Sequence, residues 1–278
     1  MGKVMPKVFL GVGHGGEDPG AVGYVVEKDA NLKTALACKE YLEHNDVQVK
    51  MSRYVDENDL LNEKIKECNE FNPDLAVDIH NNAGKGDGFE IFYSIHGGLG
   101  KVLAENIEAE VKAIGQNSRG CKTKKNSRGK NYYGFIRETE CPTVICEGAF
   151  VDNANDASQI DTDEECKAFG VAYAKGILKT LGITPKQETE PTTTSKEDVH
   201  YKLDTLRYGS TGNDVTIFEI IMKKMGYYNG KIDTDFGNGC VAACNAFQED
   251  YPECGTNGEP DSVWGSKCWK KMFSLAEV

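Results

Sequence analysis

The sequence predicts an α/β domain built on a mostly parallel sheet flanked by helices, followed by a small all-α domain of three helices. Two observations predict the first domain. Short, near-continuous apolar runs alternate with longer segments whose apolar residues recur at helical spacing, and this order repeats across the first 183 residues. A third observation separates the second domain. The stretch TPKQETEPTTTSKEDV, residues 184–199, is Thr, Pro and charge with a single apolar residue, too little surface to offset its chain entropy. The expected boundaries are therefore 1–183, a linker over 184–200, and 201–278.

Taken in order, KVFLGV (7–12) is a first short strand, and EKDANLKTALACKEYLEHN (27–45) carries Leu32, Ala35, Leu36, Tyr41 and Leu42 at helical spacing. DVQVKMSR alternates like a strand, LLNEKIKECNEF returns to helix, and PDLAVDIHNN is a buried strand. FEIFYS, the helix GKVLAENIEAEVKAIG, the strand PTVICEGAF and the helix DEECKAFGVAYAKGILKTLG complete the domain. The tail, with 8 Lys+Arg against 11 Asp+Glu, reads as three short helices: DVTIFEIIMKKMG, NGCVAACNAFQEDY and SVWGSKCWKKMFSL.

Composition narrows the chemistry. A net charge of -12 and a pI near 5.0 argue against nucleic acid as a partner, because phosphate neutralisation needs a basic face. No stretch approaches the roughly 20 apolar residues that a membrane span requires. The start, MGKVMPKVFLGVG, leads a short apolar run straight into the first motif and reads as a strand rather than a signal peptide. Synthesis in the cytoplasm, with action elsewhere after release, is the expectation. The ten cysteines form no C-x-x-C pair, which disfavours a thiolate zinc site or a dithiol redox motif. Free, buried thiols are expected, the alternative being a disulfide among the four in the tail.

The loop GVGHGGEDPG, residues 11–20, contains G-x-G-x-x-G at Gly11, Gly13 and Gly16. A dinucleotide fingerprint needs a helix to begin at once. Here the glycines run into the turn Glu17-Asp18-Pro19-Gly20, and the next helix opens only near Glu27. The loop reads instead as a holder for His14. That histidine ends the first strand, His80 ends LAVDI, Glu147 ends TVIC, and Glu27 opens a helix on the same edge. Ligands of open α/β sheets bind just outside the carboxyl ends of the strands. Two imidazoles and a carboxylate around an open position describe a catalytic zinc site, with a further carboxylate to take a proton from water. His44 and His200 read as exposed, and His96 as a loop residue.

FLGVGHGGEDPGAVG with VEKDANLKTAL, then DIHNNAG, then YYGFIRETECPTVICEGAFVDN resembles the zinc-dependent N-acetylmuramoyl-L-alanine amidases of the Amidase_3 type, from about residue 6 to 182. The resemblance implies cleavage of the amide between the lactyl group of muramic acid and the first L-alanine of the peptidoglycan stem. It also implies one zinc ion per chain, with His14, Glu27 and His80 as ligands and Glu147 as the catalytic carboxylate. The family's His-x-Asn-Ala stands here as His80-Asn81-Asn82-Ala83, which makes Asn82 a candidate substrate contact. Its Glu-x-Gly-Phe becomes Glu147-Gly148-Ala149-Phe150, a departure that shifts no charged group. The tail segment from LRYGSTGNDV to NAFQEDY resembles three-helix peptidoglycan-binding domains of the PG_binding_1 type. Asp233 and Asp235 lack the later ligands of a calcium loop. Bacterial peptidoglycan is the implied partner; charge and hydropathy point away from nucleic acid and membrane, and a monomer is favoured with the oligomeric state left open.

Other readings stay open: a zinc peptidase or carboxypeptidase cutting within the stem, or a non-catalytic wall-binding protein. Phage endolysin and host autolysin or spore-lysis enzyme are likewise both open. One basic segment has no counterpart in the resemblance. Arg119, Lys122, Lys124, Lys125, Arg128, Lys130 and Arg137 crowd nineteen residues. They form either a solvated loop or a clamp for stem-peptide carboxylates, with Lys124, Lys125 and Arg137 as candidate substrate contacts.

Overall fold

A computed structural model describes residues 5–186 and 203–275; His200 and nearly all of the predicted linker lie outside them. The chain divides into two compact units, Met1–Glu188 and Thr189–Val278.

The first unit is a six-stranded sheet in the order β2-β1-β3-β6-β4-β5. Its strands are β1 (Lys7–Val12), β2 (Gln48–Met51), β3 (Leu75–Asn82), β4 (Phe89–Tyr93), β5 (Ser118–Lys122) and β6 (Thr143–Phe150). β1 and β3 are buried almost throughout, the burial expected of central strands covered on both faces. One face packs against the long helices α1 (Glu27–His44), α3 (Leu99–Ala113) and α6 (Asp163–Thr180), where Phe89 meets Tyr173 at 6.0 Å. The other is covered in part by α2 (Leu61–Phe71) and α4 (Gly134–Glu138), around a cluster of Phe9, Ile65, Cys68, Ala76 and Phe135. A one-turn helix α5 (Ala154–Ala157) follows β6. Helix α6 starts at a capping box in which Thr162 and Glu165 satisfy each other's backbone N–H.

The sheet is mixed, which refines the expected mostly parallel arrangement: β4 runs antiparallel to β6. The reason is chain length. Only six residues, 83–88, join β3 to β4, short of the dozen or so that a parallel crossover needs. A second difference lies in the basic segment, whose first residues form β5, a parallel edge strand beside β4, rather than loop. β3 and β6 end at Asn82 and Phe150, where PDLAVDIHNN and PTVICEGAF place them, two or three residues past His80 and Glu147.

The second unit contains α7 (Asn213–Lys224), α8 (Asn238–Asp250) and α9 (Ser266–Leu275) among its described residues. They enclose Phe218, Phe236, Phe247, Trp264 and Trp269 with four buried thiols, Cys240, Cys244, Cys254 and Cys268. Leu206 pairs with Trp264 through reciprocal backbone hydrogen bonds, tying the start of the unit to its last third. All ten thiols of the chain are free, and eight are buried.

Candidate metal centre and active-site cleft

The glycines of the opening loop make room for other residues. A β-carbon on Gly13 would overlap the His80 imidazole, and one on Gly11 would meet the Asp78 carboxylate and Lys64. Gly20, at φ 65°, lies against both Glu27 and His14. His14 itself sits in the left-handed region at φ 61°, a conformation uncommon for residues with a side chain. Its Nδ1 lies 2.8 Å from Asp18 Oδ2, and Asp18 accepts the Gly20 N–H at 3.0 Å. The loop is therefore shaped around an imidazole, with no phosphate cradle.

Glu27 opens α1 and is almost completely buried. Its carboxylate accepts N–H bonds from Ala21 at 2.8 Å and Asn81 at 3.1 Å. Oε1 lies 3.3 Å from His14 Nε2 and 3.2 Å from His80 Nδ1. The second nitrogen of His80 faces Asp78 Oδ2 at 3.4 Å. Each imidazole thus turns one nitrogen to Glu27 and the other to a carboxylate of its own. Ligand atoms of His14, Glu27 and His80 all fall within 4.8 Å of one another. Beneath them, the buried ammonium of Lys64 lies 2.9 Å from Asp78 and 2.8 Å from Asp59.

The electrostatics agree with that geometry. Hydrogen bonding to Glu27 raises the His14 pKa. Burial opposes charge on His80, but Asp78 and Glu27 outweigh it and carry its pKa to about 10. Burial likewise pushes Glu27 up, yet the two imidazoles hold it well below the usual carboxylate range. A cluster that retains cationic protons this strongly suits a metal cation, which would share the same carboxylate.

Glu147 stands directly across from His80 in the parallel β3–β6 pair. Burial pushes its carboxyl up to about 7. Immediately beyond, the register slips between His80 and Asn82, so β6 places Gly148 and Ala149 opposite the single residue Asn81. The Asn81 side chain closes that gap by accepting the Ala149 N–H at 3.0 Å and donating to Asn31 Oδ1 at 2.8 Å. Asn31 in turn donates to the Gly13 carbonyl at 3.0 Å. One buried amide network therefore joins β1, α1, β3 and β6 around Glu27. A cleft of about 360 Å³ opens on this face, lined by His14, Asp18, Asp78, His80, Tyr133 and Ile145 among others.

The remaining sequence-predicted residues scatter. Asn82 ends β3, where its side chain accepts the Ala83 N–H. Lys124 caps the Tyr132 ring at 4.0 Å, and Lys125 is exposed. Arg137 turns back on its own loop, donating to the Asn131 and Tyr132 carbonyls and pairing with Glu138. His96 is an exposed loop residue and His44 an exposed helix end. Sequence reasoning passed over Asp18, Asp78, Glu90 and Tyr133. Asp78 and Glu90 had left a signal, a carboxylate inside an otherwise apolar strand run, which requires a cation nearby.

The N-acetylmuramoyl-L-alanine amidase family, Amidase_3, matches residues 8–179, wholly within the first unit. The N-acetylmuramoyl-L-alanine amidase CwlM of Bacillus licheniformis is 32% identical over 190 residues, 65% of this chain and 70% of that protein. An endolysin of Bacillus phage SPP1 is 31% identical over 201 residues, 66% of this chain and 72% of that one. Among solved structures, the catalytic domain of the amidase CwlV from Bacillus (Paenibacillus) polymyxa var. colistinus superposes with a TM-score of 0.59 at 26% identity. It spans 65% of this chain and 100% of that one. The match extends over more than half of the sequence and includes the strands that carry His80 and Glu147, so the chain belongs to the N-acetylmuramoyl-L-alanine amidase family and is an amide hydrolase.

Proposed function

We propose that the chain hydrolyses the amide joining the lactyl group of N-acetylmuramic acid to the L-alanine of the peptidoglycan stem, using one zinc ion and Glu147 as general base. The observation that carries this reading is the convergence of His14, Glu27 and His80 within 4.8 Å, with Asp18 and Asp78 on the outer imidazole nitrogens. Two imidazoles and one carboxylate are a catalytic zinc donor set, and carboxylates behind the histidines fix their tautomers. When bound, zinc supplies Lewis acidity that acidifies water and polarises a carbonyl.

The chain's own residues supply the rest. Glu147, the register partner of His80, takes the proton of the attacking water and passes it to the departing L-alanine nitrogen. A carboxyl held near 7 suits both halves of that transfer. The second unit, whose sequence resembles peptidoglycan-binding domains, anchors the enzyme to the wall. The biological role is cell lysis, as an endolysin or autolysin made in the cytoplasm and active after release.

Elemental analysis tests the assignment. Wild type and Glu147→Gln should each carry one zinc per chain, while His14→Ala and His80→Ala should carry none and remain folded. Glu147→Gln should lose activity by about two to four orders of magnitude, the scale of a general base. Full zinc in both histidine variants would overturn the ligand set.

A further inference from the structure

On the face that carries His80 and Glu147, the register continues to a second charged cluster. Glu90 of β4 lies directly opposite Glu147 in the antiparallel pair, so the two side chains share one face of the sheet. Glu90 is 7% exposed and receives two cations from the edge strand β5, Arg119 through Nε and Lys122 through Nζ at 2.9 Å. The Arg119 side chain remains 42% exposed and that of Lys122 33%. The Arg119 guanidinium also lies 5.2 Å over the ring of Phe150, which ends β6. Tyr133, which lines the cleft, packs on Phe92 of β4 with ring centroids 4.9 Å apart, so the strand that carries Glu90 also borders the cleft.

Two cations on one carboxylate leave one positive charge in surplus in this cluster, in a chain whose net charge is -12. A buried carboxylate and an aromatic face hold the guanidinium in place, and its fork suits a carboxylate partner. Strands are ~4.8 Å apart, so β5 stands roughly 10 Å from β6 and Glu147. A stem peptide leaving the scissile amide in extended form covers that span in about three residues at ~3.3–3.6 Å each, and the long Arg and Lys side chains shorten it. The residue after L-alanine is a D-glutamate joined through its side chain, which leaves its α-carboxyl beside the peptide as a free acid or an amide.

We propose that Arg119 and Lys122, positioned by Glu90, form a subsite for a free carboxylate on the stem peptide and so let the enzyme distinguish acid from amidated stems. This rests on the amidase reading of the neighbouring site. The test is kcat/KM for two soluble muropeptides that differ only in carboxylate or carboxamide at the second stem residue. Wild type should favour the acid by about ten- to a hundredfold, the scale of a charge-assisted hydrogen bond. Arg119→Gln should bring that ratio within about twofold by slowing the acid substrate alone, through KM. The triple variant Arg119→Gln/Lys122→Gln/Glu90→Gln removes all three charges together and should show the same loss without stranding a buried carboxylate. Equal cleavage of both substrates by wild type, or a preference that survives in both variants, would overturn the subsite and leave the amidase reading standing. Cleavage of neither substrate by wild type would overturn both.

Discussion

Replacing Asn81 with alanine should unfasten the first unit while sparing the second. Asn81 is 5% exposed, and its amide bridges the β6 bulge and helix α1. Truncation deprives two fully buried groups of these partners, the Ala149 N–H and the Asn31 side-chain oxygen. Each such loss costs about 1–3 kcal/mol, so the pair amounts to roughly 2–6 kcal/mol. That is a large part of a typical domain stability of about 5–15 kcal/mol. Both tryptophans, Trp264 and Trp269, belong to the second unit, which allows the two units to be followed separately. In urea, the far-UV circular dichroism transition of the first unit should move to clearly lower denaturant, while the tryptophan fluorescence transition stays in place. A shift worth less than about 0.5 kcal/mol, the range of an ordinary surface substitution, would refute the view that this amide closes the bulge.

Further outcomes follow from the same geometry. Gly13→Ala puts a β-carbon on the His80 imidazole, so the circular dichroism should persist while zinc affinity, read by chelator competition, falls at least tenfold; unchanged affinity would deny the glycine that role. Glu219, fully buried in the second unit, has its carboxyl raised from 4.5 to about 8 by burial and then by Asp233. The folded unit holds a proton there that the unfolded chain releases, so this contribution is complete below about 4.5 and lost as pH rises through about 8. The tryptophan-detected midpoint should therefore fall between pH 6 and pH 9, less so in Glu219→Gln; an equal fall in both would exclude Glu219 as the cause. Residues 1–183 alone should cut soluble muropeptides at the full-length rate yet lose activity on intact walls, where tethering raises local concentration. Loss of activity on the soluble fragments too would refute the anchor role of the tail.

Much of this arrangement was legible in the sequence. His14 and Glu27 lie close in the chain and His80 far from both, and each sits where a strand or helix boundary was visible from polarity and spacing. The glycine-rich loop could be denied to a nucleotide because no helix follows it at once, and the structure shows the glycines yielding space to His80 and Asp78 instead. Strand β5 was invisible because SRGCK lacks an apolar pattern; an edge strand can spend its side chains on a neighbour's charge, as Arg119 and Lys122 do on Glu90. The antiparallel entry of β4 was encoded in the six-residue loop before it, a signal of length rather than composition. The ends of β3 and β6 were legible in PDLAVDIHNN and PTVICEGAF, whereas the bulge between the two strands, with Asn81 supplying the missing bond, left no local pattern. The Asp59–Lys64–Asp78 cluster is a pairing across loop, helix and strand that no local pattern specifies.

The reading stands or falls on which bond is broken. Purified peptidoglycan digested with the full-length, zinc-loaded chain should be analysed by mass spectrometry with end-group labelling. New free L-alanine amino termini, with intact glycan strands and otherwise uncut stem peptides, are the predicted result. New reducing sugar ends, or stems cleaved beyond the first alanine while the muramoyl amide stays intact, would contradict it.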